Sequence, residues 1–90
     1  MSQISRTVQI TNKRGLHARA SAKFVTLASG LPAQVEVKKD GASVTGTSIM
    51  GLMMLGAAMG DSIEICASGD GAEAAVAQLA GLVENKFGEE

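Results

Sequence analysis

The stretch from Ile4 to Ala28, ISRTVQITNKRGLHARASAKFVTLA, changes its period halfway along. Ile4, Val8 and Ile10 alternate with Ser5, Thr7 and Gln9, the two-residue repeat of a half-buried strand. Asn12 to Gly15 is a polar turn. From Ala18 onward, Ala20, Phe24, Leu27 and Ala28 fall at helical spacings, and Gly30 with Pro32 stops the helix. A strand, a glycine turn and an amphipathic helix form the first half of a crossover unit.

The same patterns extend along the rest of the chain. Ala33, Val35 and Val37 alternate with Gln34, Glu36 and Lys38, and Asp40-Gly41 is a favoured hairpin turn into a short strand around Val44. Ser48 to Leu55 reads as a short helix with a serine cap, ending at Gly56. Ile63, Ile65 and Ala67 alternate with Ser62, Glu64 and Cys66 in a last strand, which puts Cys66 on the polar side of the sheet as an inert reduced thiol. The final helix is expected to start from Asp70, with Glu73 completing a capping box. Its apolar face comprises Val76, Leu79, Ala80, Val83 and Phe87.

The order β-α-β-β-α-β-α, with one apolar face per strand, predicts an α/β open-faced sandwich. It is a four-stranded, mainly antiparallel sheet with three helices on one face and a wet opposite face. The first two strands flank a helical crossover and should run parallel, with the last strand between them as an antiparallel partner. Residues 1–90 suffice for a single domain: 46% hydrophobic and 19% charged is a globular balance. No apolar run approaches the roughly 18 residues needed to span a bilayer, and the first residues lack a secretory pattern. One cysteine excludes an internal disulfide and the usual multi-cysteine metal sites, so a cytoplasmic protein without metal or cofactor is expected.

Charge is distributed unevenly. Before Glu36 there is no acid, and Arg6, Lys13, Arg14, Arg19 and Lys23 make a formal +5; the remainder carries a formal −6, summing to −1. Four of those cations lie between residues 13 and 23, around His17, the only histidine. An anion is expected there. Nucleic acid is a poor candidate, because Phe24 and Phe87 are the only aromatics available to stack on bases.

Gly15-Leu16-His17-Ala18-Arg19 places His17 at or near a helix N-cap. The first N–H groups of a helix have no internal acceptor, and with the macrodipole they form an anion site beside the imidazole. A neutral imidazole is a competent nucleophile near pH 7, so His17 could attack a phosphoryl group and hold it. The amides of Ala18 and Arg19 would bond its oxygens, with the Arg19 guanidinium as charge partner. The residues alone leave open which ring nitrogen attacks. In the second short helix, the buried stripe is expected to include Leu52 and Leu55, so some of Ile49, Met50, Met53 and Met54 must face water, and these four are the candidate flexible docking face. Phosphorylation of Ser48 would set about two negative charges beside that face and inhibit docking.

At these residues the chain resembles the HPr family, the histidine-containing phosphocarriers of the bacterial phosphoenolpyruvate-dependent phosphotransferase system. Gly15-Leu16-His17-Ala18-Arg19 is similar to the family's phosphorylation motif, and Ser48-Ile49-Met50-Gly51 through Leu55-Gly56 to its regulatory-serine segment. Ala20 departs from the usual proline after the arginine, which loosens the first turn. Ile10-Thr11-Asn12-Lys13 and Phe87-Gly88-Glu89-Glu90 resemble the nitrogen-related branch. The resemblance implies that His17 takes phosphate on Nδ1 from enzyme I, helped by Arg19, and passes it to a IIA-type acceptor. It further implies that Ser48 matches the site of an HPr kinase. The expected protein is a monomeric, stoichiometric carrier and not an enzyme. A regulatory binding module controlled at Ser48 is the alternative; a small hydrolase lacks a second acid or base beside His17.

Overall fold

The structure is a computed structural model describing residues 3–89. Its elements are β1 (Gln3–Gln9), α1 (Ala18–Ser29), β2 (Gln34–Lys39), β3 (Ala42–Thr45), α2 (Ile49–Met54), β4 (Ser62–Ser68) and α3 (Ala72–Glu84), followed by one turn over Lys86–Gly88. The sheet order is β1-β4-β2-β3, with β4 antiparallel to both neighbours, so β1 and β2 run parallel on either side of it. The open-faced α/β sandwich and the inserted last strand are as the sequence predicts. In the turn between β2 and β3, Asp40 and Gly41 both take positive φ, 50° and 84°, which the tightest hairpin connection requires.

Register aligns the apolar face across the sheet. Ile63 lies opposite Val8, Ile65 opposite Val37, and Ala67 opposite both Ile4 and Val35. Phe24 and Ala20 of α1, Leu52 of α2, and Val76, Leu79 and Val83 of α3 are buried against that face. Each of the larger of these side chains, from valine to phenylalanine, contributes about 1.5–3 kcal/mol by leaving water. Arg6 shares the inner parity of β1 but belongs to an edge strand, where its guanidinium reaches Glu84 of α3 at 3.3 Å and keeps half its surface in solvent. No helix among the described residues is long and apolar enough to cross a membrane.

Three local expectations need correction. The last helix starts at Ala72, capped by Gly71 at φ 71° without any side-chain bond, so Asp70 is not its cap. Gly69 and Gly71 both adopt left-handed φ in the turn leaving β4, and the Ala72 N–H bonds the Gly69 carbonyl instead. Glu73 still lies in the first turn, where the dipole favours an acid. Phe87 is buried but lies beyond α3, carried inward by a left-handed turn instead of helical periodicity. By contrast, Gly30 ends α1 as expected, in right-handed geometry at φ −85° with its N–H bonding back onto Leu27 and Ala28. Finally, the open face is not wet throughout: Cys66 is 1% exposed. It sits on the central strand between Ser5 and Glu36, too short to rise above the longer side chains around it. Burial pushes its thiol pKa up, and Glu64 and Glu36 add to the effect against Lys38.

Candidate functional site

His17 is the N-cap of α1, in extended geometry (φ −74°, ψ 179°), and Ala18 is the first helical residue. The loop before it is fixed from several sides. Gly15 takes φ 64°, and a Cβ there would lie 2.4 Å from the Ala57 carbonyl oxygen, so only glycine fits. The Asn12 Nδ2 amide donates to the Gly15 carbonyl at 2.9 Å, the Leu16 N–H to Ala57 O at 3.0 Å, and the Ser21 hydroxyl to Leu16 O at 3.2 Å. Asn12 and Ser21 are buried polar residues, so two of the loop's carbonyls, those of Gly15 and Leu16, are bonded from inside the fold.

The two ring nitrogens have different partners. Nδ1 faces the helix and accepts from the Arg19 backbone N–H at 3.3 Å, filling the role an Asn or Asp oxygen takes in an ordinary cap. The first backbone N–H with a main-chain acceptor is that of Ser21, on the His17 carbonyl at 2.9 Å. The amides before it belong to the turn whose N–H groups have no helical partner. Nε2 is hydrogen-bonded to the Glu89 carboxylate. A carboxylate accepts and cannot donate, so Nε2 carries the proton and Nδ1 the lone pair. The second Glu89 oxygen accepts from Asn12 Nδ2 at 3.1 Å. This orients Asn12, since turning its amide over would set oxygen against oxygen. The His17 and Glu89 side chains are 13% and 14% exposed. Burial by itself would raise the Glu89 carboxyl, but the hydrogen bonds from His17 and Asn12, with the nearby Lys23 charge, hold it below its ordinary value.

Lys13, Arg14, Arg19 and Lys23 line one depression together with Gly88 and Glu89, so the basic cluster foreseen around His17 does converge there. Arg6 does not join it, being engaged with Glu84. Lys23 donates through Nζ to the Phe87 carbonyl at 2.7 Å, tying the segment after α3 to α1. Sequence patterns did not single out Asn12 or Glu89 as partners of His17. Asn12 had the signal of a polar residue in the preceding turn, whereas Glu89 had none, lying 72 positions away.

Ser48 is the N-cap of α2, its Oγ accepting from the Gly51 N–H at 2.9 Å. Of α2, Leu52 is fully buried and the capping Leu55 nearly so, while Ile49, Met50, Met53 and Met54 are exposed at 41, 73, 45 and 78%. The apolar outer face read from sequence is therefore present, and Met59, at 57%, is exposed just beyond it in the chain. The bond from Leu16 to Ala57 links this region to the His17 loop.

Comparison with known proteins agrees with this architecture. Residues 4–85 match the family model described as the HPr component phosphorylation site of the phosphotransferase system. The phosphocarrier protein HPr of Cupriavidus necator is 42% identical over 86 residues, covering 96% of this chain and 97% of the relative. The phosphocarrier protein NPr of Shewanella violacea is 38% identical over 89 residues, covering 99% and 98%. A crystal structure of HPr-C-His from Thermoanaerobacter tengcongensis superposes with a TM-score of 0.90 at 46% identity, covering 100% of this chain and 99% of that one. The fold is shared along the whole chain, and the chain belongs to the HPr family. Within the phosphotransferase system it is a phosphocarrier of the HPr and NPr kind.

Proposed function

We propose that His17 is the residue that carries the phosphoryl group, accepting it on Nδ1 from enzyme I and passing it to a IIA-type acceptor. The observation that carries this reading is the Nδ1 lone pair held at the N-terminus of α1, while Nε2 is engaged by Glu89. In the forward step Nδ1 attacks phosphorus, and the N–P bond forms as the donor's bond to phosphorus breaks, its electron pair leaving with the donor. Nε2 keeps its proton, so the ring becomes positively charged. The N–H groups of Ala18 and Arg19, with the Arg19 guanidinium, receive the phosphoryl oxygens. Reversing the step toward a second acceptor completes the relay, and the chain acts as a stoichiometric carrier in the cytoplasm, as one domain and as a monomer.

Ile49, Met50, Met53 and Met54 form the docking face for these partners; their exposure and the flexibility of methionine suit a surface that must fit more than one protein. A second reading concerns Ser48. Its position at the start of that helix supports regulation by an HPr kinase, whose product would place a dianion next to the docking face. Incubation with labelled phosphoenolpyruvate and enzyme I tests the main reading: the label should be acid-labile and absent from His17→Ala. Acid-labile label on His17→Ala would defeat it.

A further inference from the structure

We propose that Glu89 is a positioning residue for phosphoryl transfer: its carboxylate keeps the proton on Nε2 of His17, so that Nδ1 alone offers a lone pair. This rests on the reading that His17 takes the phosphoryl group. The backbone is bent to put Glu89 there. Lys86, Phe87 and Gly88 take φ of 57°, 55° and 75° in succession, a left-handed turn that residues with a Cβ disfavour. Such a turn persists only where its surroundings hold it, and here Phe87 is 1% exposed in the core while Lys23 Nζ bonds its carbonyl. The chain thereby reverses and returns the Glu89 side chain to the mouth of α1.

The carboxylate then meets two donors, Nε2–H of His17 and Nδ2 of the fully buried Asn12. If the ring proton moved to Nδ1, a bare Nε2 lone pair would face the carboxylate, and Nδ1 would lose its bond from the Arg19 N–H. Both contacts favour the same tautomer. When the N–P bond forms at Nδ1, Nε2–H stays in place and the carboxylate faces the new positive charge of the ring. Repulsion between Glu89 and the incoming phosphoryl group is offset by Lys13, Arg14, Arg19 and Lys23, which line the same depression. Glu89 acts through His17, in the way the outer partner of a histidine fixes its tautomer and orientation.

The test compares the full chain with Glu89→Ala, Glu89→Gln and Glu89→Asp. Nitrogen-15 spectra of the unphosphorylated proteins at pH 8 report which ring nitrogen carries the proton, and phosphorus spectra after phosphoenolpyruvate and enzyme I report which one is phosphorylated. The unsubstituted chain should show protonated Nε2 and phosphate on Nδ1. Glu89→Ala should mix the tautomers, slow phosphorylation about tenfold and place part of the phosphate on Nε2. Glu89→Asp should recover part of the rate. Glu89→Gln, which preserves size, separates loss of charge from loss of packing and should be impaired as well. Tautomer ratios or transfer rates unchanged in both Glu89→Ala and Glu89→Gln would overturn the proposal. If the unsubstituted chain takes no phosphate at His17, the underlying reading fails instead, and the tautomer ratios still decide whether Glu89 orients the ring.

Discussion

Replacing Gly15 by alanine should damage the fold and the site together, and the size of the effect can be built from two contributions. Gly15 sits at φ 64°, where a Cβ costs about 1–2 kcal/mol. The new methyl would also lie 2.4 Å from Ala57 O and 2.9 Å from Ala58 Cα. Both are backbone atoms that cannot rotate away, so overpacking adds about 1–3 kcal/mol. A total near 3 kcal/mol corresponds to a fall in Tm of about 12–24 °C for a chain of this size. The displaced oxygen is the acceptor of the Leu16 N–H, one residue before His17, so phosphate uptake should fall with stability. Gly56→Ala is the internal control: its φ is 66°, yet nothing lies within 4 Å of the added methyl, so it should lose only the first contribution, about 1–2 kcal/mol. Urea unfolding followed by circular dichroism measures both variants. Equal destabilisation of the two would refute the close approach between the His17 loop and the segment after α2.

Met50→Glu should change stability by less than about 0.5 kcal/mol, since the side chain is 73% exposed, while slowing phosphorylation by enzyme I about tenfold. Unaltered initial rates at limiting partner concentration would remove α2 from the docking surface. Ser48→Ala should lower stability by about 1 kcal/mol through loss of the cap on Gly51 N–H, and Ser48→Asp should restore most of it. Thermal melts that do not separate these variants would rule out the capping role. Because folding lowers the Glu89 carboxyl below its ordinary 4.5, the unfolded chain binds more protons in that range. Its stabilising contribution is therefore fully present above the ordinary value and is lost as pH falls through the lower folded one. The stability difference between the unsubstituted chain and Glu89→Gln should follow that profile; a difference independent of acid pH would show that the carboxylate charge is immaterial.

What the sequence determined by itself is local in origin. The change from alternating to helical period fixed the strands and helices, Asp40-Gly41 fixed its hairpin, and the glycine turn before Ala18 put His17 at the end of α1, because each signal lies within a few residues of its effect. The same holds for the outer face of α2, where Leu52 and Leu55 take the inner stripe and the methionines are left over. The sequence misled where two glycines competed with an aspartate for the start of α3, and where a helical count was continued through Phe87. Only the tertiary structure brought Glu89 and Asn12, 77 positions apart, onto one hydrogen bond beside His17. Only it placed Cys66 beneath its neighbours on the open face. Those contacts depend on how far a left-handed turn swings the chain and on which strands flank β4, and neither quantity is written in the periodicity of any single segment.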